Sequence, residues 1–185
     1  VVDCGSPAKA LLAGRAGATF GVCGQSWMFQ FAHEPEMQFY GLGEHSQGTH
    51  AQMFAAPVAN LQVIPDTTDP ADAAAFGLTF LTAYSMIVSK ARLLSGQLVL
   101  ITGIGGGVAL AALTIARHLG ARVCVTSRSQ VKLDSALALG AHHGVLDSGA
   151  DWSGAVRAWT GKRGVDVAVD SSGKATHLWC IKSLA

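Results

Sequence analysis

The stretch ITGIGGGVALAA, Ile101–Ala112, decides how this chain folds. An apolar run, LVLIT (98–102), leads into it, and VALAALTIARHLG (108–120) follows. Glycines 103, 105, 106 and 107 fall in the turn between the two, and Ala109 stands where a further glycine would come. LVLIT is short, uninterrupted and rich in β-formers, as in a strand buried on both faces. After the glycines, Val108, Ala111, Ala112, Ile115 and Leu119 recur at helical spacing, and Gly120 is placed to stop the helix.

The same alternation continues downstream. RVCVTS (122–127) is a second strand, and Ser129 is a candidate cap for SQVKLDSALALG, which again ends in glycine. HGVLD (143–147) is a third strand. Asp151 can cap a helix that carries Trp152, Val156 and Trp159 on one face. VDVAVD (165–170) is a fourth strand, followed by SSG and a last helical stretch. Strands alternating with helices at this spacing predict an α/β fold with a parallel sheet and right-handed crossovers. Upstream, residues 1 to about 68 are irregular, with short apolar runs that suggest short strands and loops. A helix is expected over DPADAAAFGLTFLTAYSMIVSKARL, with Asp69 as N-cap, Pro70 in the first turn and a break at Gly77.

In such a sheet the turn after the first strand enters a helix whose free backbone N–H groups can hold a dinucleotide pyrophosphate. Side chains there would keep phosphates away, which explains glycine. Gly103, Gly106 and Ala109 form a G-x-x-G-x-x-A variant, with Gly105 and Gly107 adding slack. The small third residue allows close helix–strand packing. A glycine cluster alone is also compatible with an ordinary turn; its place between this strand and this helix is what points to nucleotide binding.

The end of the second strand bears on which dinucleotide. An NAD site wants a carboxylate there for the ribose hydroxyls. This chain has Thr126-Ser127-Arg128-Ser129 with Lys132 one turn on, and no acid before Asp134. These residues suit a 2′-phosphate, so NADPH is expected ahead of NADH. The alternative is a solvated basic helix start.

Composition excludes other classes. Of 185 residues half are hydrophobic and 14% are charged, which is globular rather than disordered. The formal net charge of +1 gives no electrostatic case for nucleic acid or an anionic membrane. Gly, Lys, Arg or Asp interrupts the apolar runs, so no membrane span is expected. Cys4, Cys23, Cys124 and Cys180 are scattered without a CxxC, which fits reduced thiols in a cytoplasmic protein. The chain opens on VVD without Met and is expected to be a fragment of a longer protein, weak or silent as a catalyst by itself and prone to self-association.

Several stretches resemble the medium-chain dehydrogenase/reductase superfamily, in its quinone-oxidoreductase-like and zinc-binding-dehydrogenase branches. They are GLGEHSQGTHAQMFAAPVANLQVIPD, AAAFGLTFLTAYSMI, LVLITGIGGGVALAALTIARHLGARV, KLDSALALGAHHGVLD and TGKRGVDVAVDSSG, in the family's order over residues 41 to 185. The resemblance implies part of a GroES-like, β-rich catalytic domain over residues 1–80. It implies an incomplete Rossmann-type NAD(P)-binding domain over 81–185. It implies a small-molecule substrate and a homo-oligomer in the full-length protein. Carried over, it puts Gly106, Gly107 and Val108 at the pyrophosphate, and Ser127, Arg128 and Lys132 around the adenosine ribose and its phosphate; Gly103, first of the glycine motif, is a further cofactor-binding candidate. Thr82 would lie near the nicotinamide, and Ser171 and Ser172 at the sheet edge.

The departures concern metal. CGSPAKALLAGR resembles the family's structural-zinc loop but keeps only Cys4, with Pro7 and Ala10 or Leu11 near the other ligand positions. Leu78 stands where the zinc-type members have a catalytic ligand. Tetrahedral zinc needs four N or S donors. Cys4, Cys23, His33 and His45 can be gathered on paper, but their spacing fits no such loop, so no zinc is expected in this chain. His45 and His50 are candidate proton relays, or loop histidines with satisfied hydrogen bonds. No catalytic residue is assigned. Three readings stay open: a zinc-free NADPH-dependent reductase of quinones, enones or other carbonyls; a zinc alcohol dehydrogenase whose ligands lie outside this chain; and a non-catalytic NADPH-binding module.

Overall fold

The computed structural model describes residues 20–22, 48–54 and 61–185. The chain divides into two compact units, Val1–Leu78 and Thr79–Ala185. In the first, strand β1 (Phe20–Val22) pairs antiparallel with β2 (Leu61–Val63), Phe20 opposite Val63. Cys4, Cys23, His33 and His45 lie outside the described residues. His50 is described and exposed.

Helix α1 (Pro70–Tyr84) starts as its sequence predicts. The Asp69 carboxylate accepts the Ala71 N–H at 2.7 Å, and Pro70 occupies the first turn, where no N–H is needed. Gly77 does not break it. The change comes at Ser85, where the helix widens into π geometry through Lys90. Pro70–Lys90 therefore forms one helical run of 21 residues, long and apolar enough by length and composition to cross a membrane. Asp72 and Lys90 stand near its two ends and Gly77 does not interrupt it, and a core helix of a soluble protein meets the same measure of length and composition. Its Ala83 and Ile87 are fully buried in the core of the second unit.

The second unit is a four-stranded parallel sheet in the order β5-β4-β3-β6. Its strands are β3 (Leu98–Ile101), β4 (Arg122–Ser127), β5 (His143–Leu146) and β6 (Val167–Val169). This is the 3-2-1-4 arrangement of a doubly wound fold. Val99 lies opposite both Val123 and Val167, so β3 is an inner strand, paired on both sides, and all four of its residues are buried. Period-two alternation divides the core. Val99, Ile101, Val123 and Val125 pack with helix α2 (Gly107–His118) and helix α3 (Gln130–Ala138) on one face. Leu98, Leu100 and Cys124 pack with helix α4 (Ser153–Trp159) and helix α5 (His177–Ser183) on the other.

Helix α2 buries a different stripe from the expected one. Ala109, Ala112, Leu113 and Ala116 face inward with Ala111, while Val108, Ile115 and Leu119 are partly buried at the margins. Alanines at the centre of the stripe let the helix approach the sheet closely. Gly120, at φ +77°, ends the helix, and the Ala121 N–H returns to the Ala116 carbonyl. Ser129 is the N-cap residue of α3 but makes no side-chain capping bond. Asp151 does bond at the start of α4, accepting the Ser153 N–H at 2.9 Å.

His142 and His143 enter β5 in environments that disfavour a charged ring. Burial lowers the pKa of both, and at His142 the Arg117 and Arg122 guanidinium groups lower it further. His142 Nδ1 accepts the Val123 N–H at 2.9 Å, a bond that protonation at Nδ1 breaks. His143 stacks on Trp159, with ring centroids 5.7 Å apart. An unfolded histidine titrates near 6.5, so below that pH the unfolded chain takes up protons that the fold refuses. Stability is expected to be complete above about pH 6.5 and to fall with pH below it. Carboxylates act in a separate, lower window, since hydrogen bonds from Lys182 and Ser153 hold Asp151 down to about 2. Thermal melts between about pH 7.5 and about pH 5.5 check this. A flat melting temperature over that range would refute it.

Candidate functional site

The chain winds outward from β3 to β4 to β5, then returns to the other side of β3 as β6. The carboxyl ends of β3 and β6 flank the point where the winding reverses. In open parallel sheets ligands bind in the crevice at that point. The glycine turn leaves β3 there, and Ser171–Ser172–Gly173 leaves β6.

The glycines have distinct duties. Gly103 has φ +65° and Gly105 φ +108°, so both need glycine on conformational grounds. Between them Ile104 is an anchor, 2% exposed, with its N–H bonded to the Thr126 carbonyl at 2.8 Å. Gly105 is more than slack: a β-carbon there would stand 2.5 Å from Cδ of Lys132. A β-carbon on Gly107 would stand 2.7 Å from the Thr79 methyl, so α1 closes on the start of α2 at this residue. Gly106 is the N-cap of α2, and a β-carbon there would meet only the Gly103 carbonyl oxygen, at 3.8 Å. No side chain caps α2. Its first-turn N–H groups lack intrahelical acceptors and lie behind an open glycine, which is the cradle a pyrophosphate needs.

The end of β4 meets this loop. Ser127 is only 6% exposed; its hydroxyl lies 3.4 Å from the Ile104 carbonyl and accepts the Ser129 N–H at 3.2 Å. Its polar atom is thus engaged in holding the loop. Arg128 is exposed directly after the strand. Lys132, also exposed, lays its methylene stem across Gly105. Val108 is partly buried in the first turn of α2. Thr82 is exposed on α1, three residues beyond the Thr79 that touches Gly107. Ser171 and Ser172 are exposed at the end of β6, and a β-carbon on Gly103 would stand 2.8 Å from Ser172 Oγ. The two carboxyl ends therefore touch across the winding reversal.

Sequence reasoning missed Asp170. Its Oδ1 accepts the Thr102 hydroxyl at 2.8 Å, the Thr176 hydroxyl at 2.7 Å, the Ser172 N–H at 2.9 Å and the Gly173 N–H at 3.3 Å. Burial alone would push its pKa up, but these four donors outweigh it and the net shift is downward. Nearby Cys180 is pushed up to about 12, by burial first and then by the Asp170 carboxylate, so its thiol is unreactive. The available signal was an acid closing an apolar strand ahead of Ser-Ser-Gly, a composition that favours Asx turns.

Residues 107–185 match the family model for zinc-binding dehydrogenases. The chain belongs to the medium-chain dehydrogenase/reductase superfamily. This superfamily member is 35% identical over 131 residues to a 2-haloacrylate reductase of a Burkholderia species, covering 70% of the chain and 39% of that protein. Among solved structures, an NAD-dependent alcohol dehydrogenase is 42% identical, with a TM-score of 0.76 over 82% of this chain and 43% of that one. A mycobacterial protein solved with NADPH is 31% identical, with a TM-score of 0.66 over 70% of this chain and 40% of that one. The chain thus spans less than half of each, and 4–7% of the polyketide synthases that it also matches.

The family model's description implies zinc. Among the described residues no three His, Cys, Asp or Glu side chains are gathered as a metal site. At the position of the expected catalytic ligand, Leu78 presents only hydrocarbon and is 50% exposed. The described residues therefore do not fit zinc.

Proposed function

We propose that this chain carries the cofactor-binding part of an NADPH-dependent oxidoreductase that reduces a quinone, an enone or another carbonyl compound. One observation carries the reading. At the winding reversal, an uncapped helix N-terminus lies behind the open Gly106, the Lys132 stem crosses the same glycine turn, and β4 ends without a carboxylate and is followed by the exposed Arg128. A bound nicotinamide dinucleotide supplies the hydride in such a reaction. The chain's own residues bind and orient it. In this reading Gly106 gives the pyrophosphate room and the N–H groups of Gly107 and Val108 hold it beside the turn at Gly103, the Gly106 N–H being directed at the Gly103 carbonyl at 3.4 Å. Arg128 and Lys132 meet the 2′-phosphate, near the ribose side of Ser127. Ser171 and Ser172 line the far side of the crevice, and Thr82 lies toward the nicotinamide. Residues 1–80 belong to a GroES-like catalytic domain and 81–185 to the Rossmann-type domain. The protein works in the cytoplasm as a homo-oligomer. The likeness to a protein solved with NADPH supports this cofactor, and the likeness to a 2-haloacrylate reductase supports an activated alkene or carbonyl as the substrate class. Fluorescence titration with NADPH and NADH tests the cofactor, and turnover with quinones, enones and aldehydes tests the chemistry. Equal affinity for the two dinucleotides would overturn the first assignment, and turnover with none of these substrates would overturn the second.

The likeness to an alcohol dehydrogenase, together with the family model's description, favours a second reading, zinc-dependent alcohol oxidation with ligands supplied by residues outside this chain. Elemental analysis of the dialysed 185-residue chain is expected to find no stoichiometric zinc. A content near one zinc per chain would overturn the zinc-free reading.

A further inference from the structure

We propose that Asp170 is the positioning residue of the crevice at the winding reversal: it ties the end of β3 to the turn after β6 and so holds Ser172 against Gly103. The inference rests on the dinucleotide reading of the glycine turn. Thr102 and Thr176, its two hydroxyl donors, are buried; their other acceptors, the Val169 carbonyl at 3.5 Å and the Gly173 carbonyl at 3.2 Å, stand farther off, so Asp170 is the nearer acceptor of both. Thr102 directly precedes Gly103, and its N–H is also fixed, to the Val169 carbonyl at 3.0 Å. The Ser172 and Gly173 N–H groups converge on the same oxygen, which bends the chain back toward β3. Ser172 Oγ then stands 3.5 Å from Thr102 Oγ1, beside the α-carbon of Gly103. Remove the acceptor and the turn is released from Thr102, so Ser172 is free to leave Gly103 and the wall of the crevice moves. A bare carboxylate beside a pyrophosphate would repel it; four donors on one oxygen disperse that charge. The role is therefore one of geometry, and asparagine, which keeps an acceptor oxygen, can perform it.

The test uses Asp170→Ala, Asp170→Asn and Thr102→Val in the whole chain. Each is titrated with NADPH and with NADH, and hydrogen exchange is followed at the Ser172 and Gly173 amides. Asp170→Ala is expected to weaken both dinucleotides about tenfold and alike, since the shape of the crevice is common to both. Exchange at the two amides should become fast while β3 stays protected. Asp170→Asn should restore both readouts, with affinity within about threefold of wild type. Wild-type affinity in Asp170→Ala would overturn the proposal. So would an Asp170→Asn variant as weak as the alanine, which would make charge the cause. If Asp170→Ala does not fold, Thr102→Val decides, because it leaves three of the four bonds: weakened binding supports the proposal and unchanged binding overturns it. Wild type binding neither dinucleotide would overturn the cofactor reading and the proposal with it. Wild-type binding that ignores all three substitutions would overturn the proposal alone.

Discussion

Arg128→Ala is expected to weaken NADPH binding roughly 10- to 100-fold and to leave NADH affinity nearly unchanged. The 2′-phosphate carries close to two negative charges near neutral pH, and a guanidinium meets it through two parallel hydrogen bonds. Such charged bonds contribute about 1.5–3 kcal/mol net, which sets the range. NADH has no group at that position. Lys132→Ala is expected to weaken NADPH as well, and the reason is structural. Its stem lies across Gly105, so less side-chain freedom is lost when the ammonium meets a phosphate. Titration of both dinucleotides at one fixed salt concentration checks this, because screening changes the attraction. If Arg128→Ala weakens NADPH and NADH equally, the end of β4 is not a phosphate site.

Gly105→Ala is expected to damage both stability and NADPH binding. The residue has φ +108°, outside the region that an L-residue tolerates, and its new β-carbon would stand 2.5 Å from Lys132 Cδ. The backbone strain alone costs on the order of 1–3 kcal/mol. The lysine stem must also swing aside, which removes its ammonium from the glycine turn and should lower NADPH affinity about tenfold. NADH should lose less. Gly149→Ala separates the two effects: φ is +86° there, but nothing lies within 4 Å of the new carbon. That variant should lose melting temperature and keep wild-type dinucleotide affinity. If Gly105→Ala melts lower but binds NADPH as wild type does, Lys132 has no part in cofactor binding.

The order of strands and helices in the second unit, the stops at Gly120 and Gly140, the cap at Asp69 and the basic end of β4 all follow from local rules. Periodicity, left-handed glycines and missing carboxylates act within a few residues, so one dimension suffices to see them. The widening at Ser85 was not legible, since Ala83 and Ile87 are held by burial against distant residues and not by helix propensity. Nor was the buried stripe of α2, because spacing alone cannot tell which of several apolar faces meets the sheet.

The sequence by itself determined that a glycine turn would sit between a buried strand and a helix, and that cations instead of an acid would follow the second strand. Both are facts of neighbouring residues. Only the tertiary structure decided what each glycine is for. Gly105 makes room for Lys132, 27 positions away in the chain, and Gly103 for Ser172, 69 positions away. It also showed Ser127 turned inward to hold Ile104, so that a carboxylate placed there by Ser127→Asp would stand against a buried carbonyl. And it drew Thr102, Asp170 and Thr176 together. The winding of the sheet brings the ends of β3 and β6 side by side, and no local pattern encodes a contact between segments that far apart.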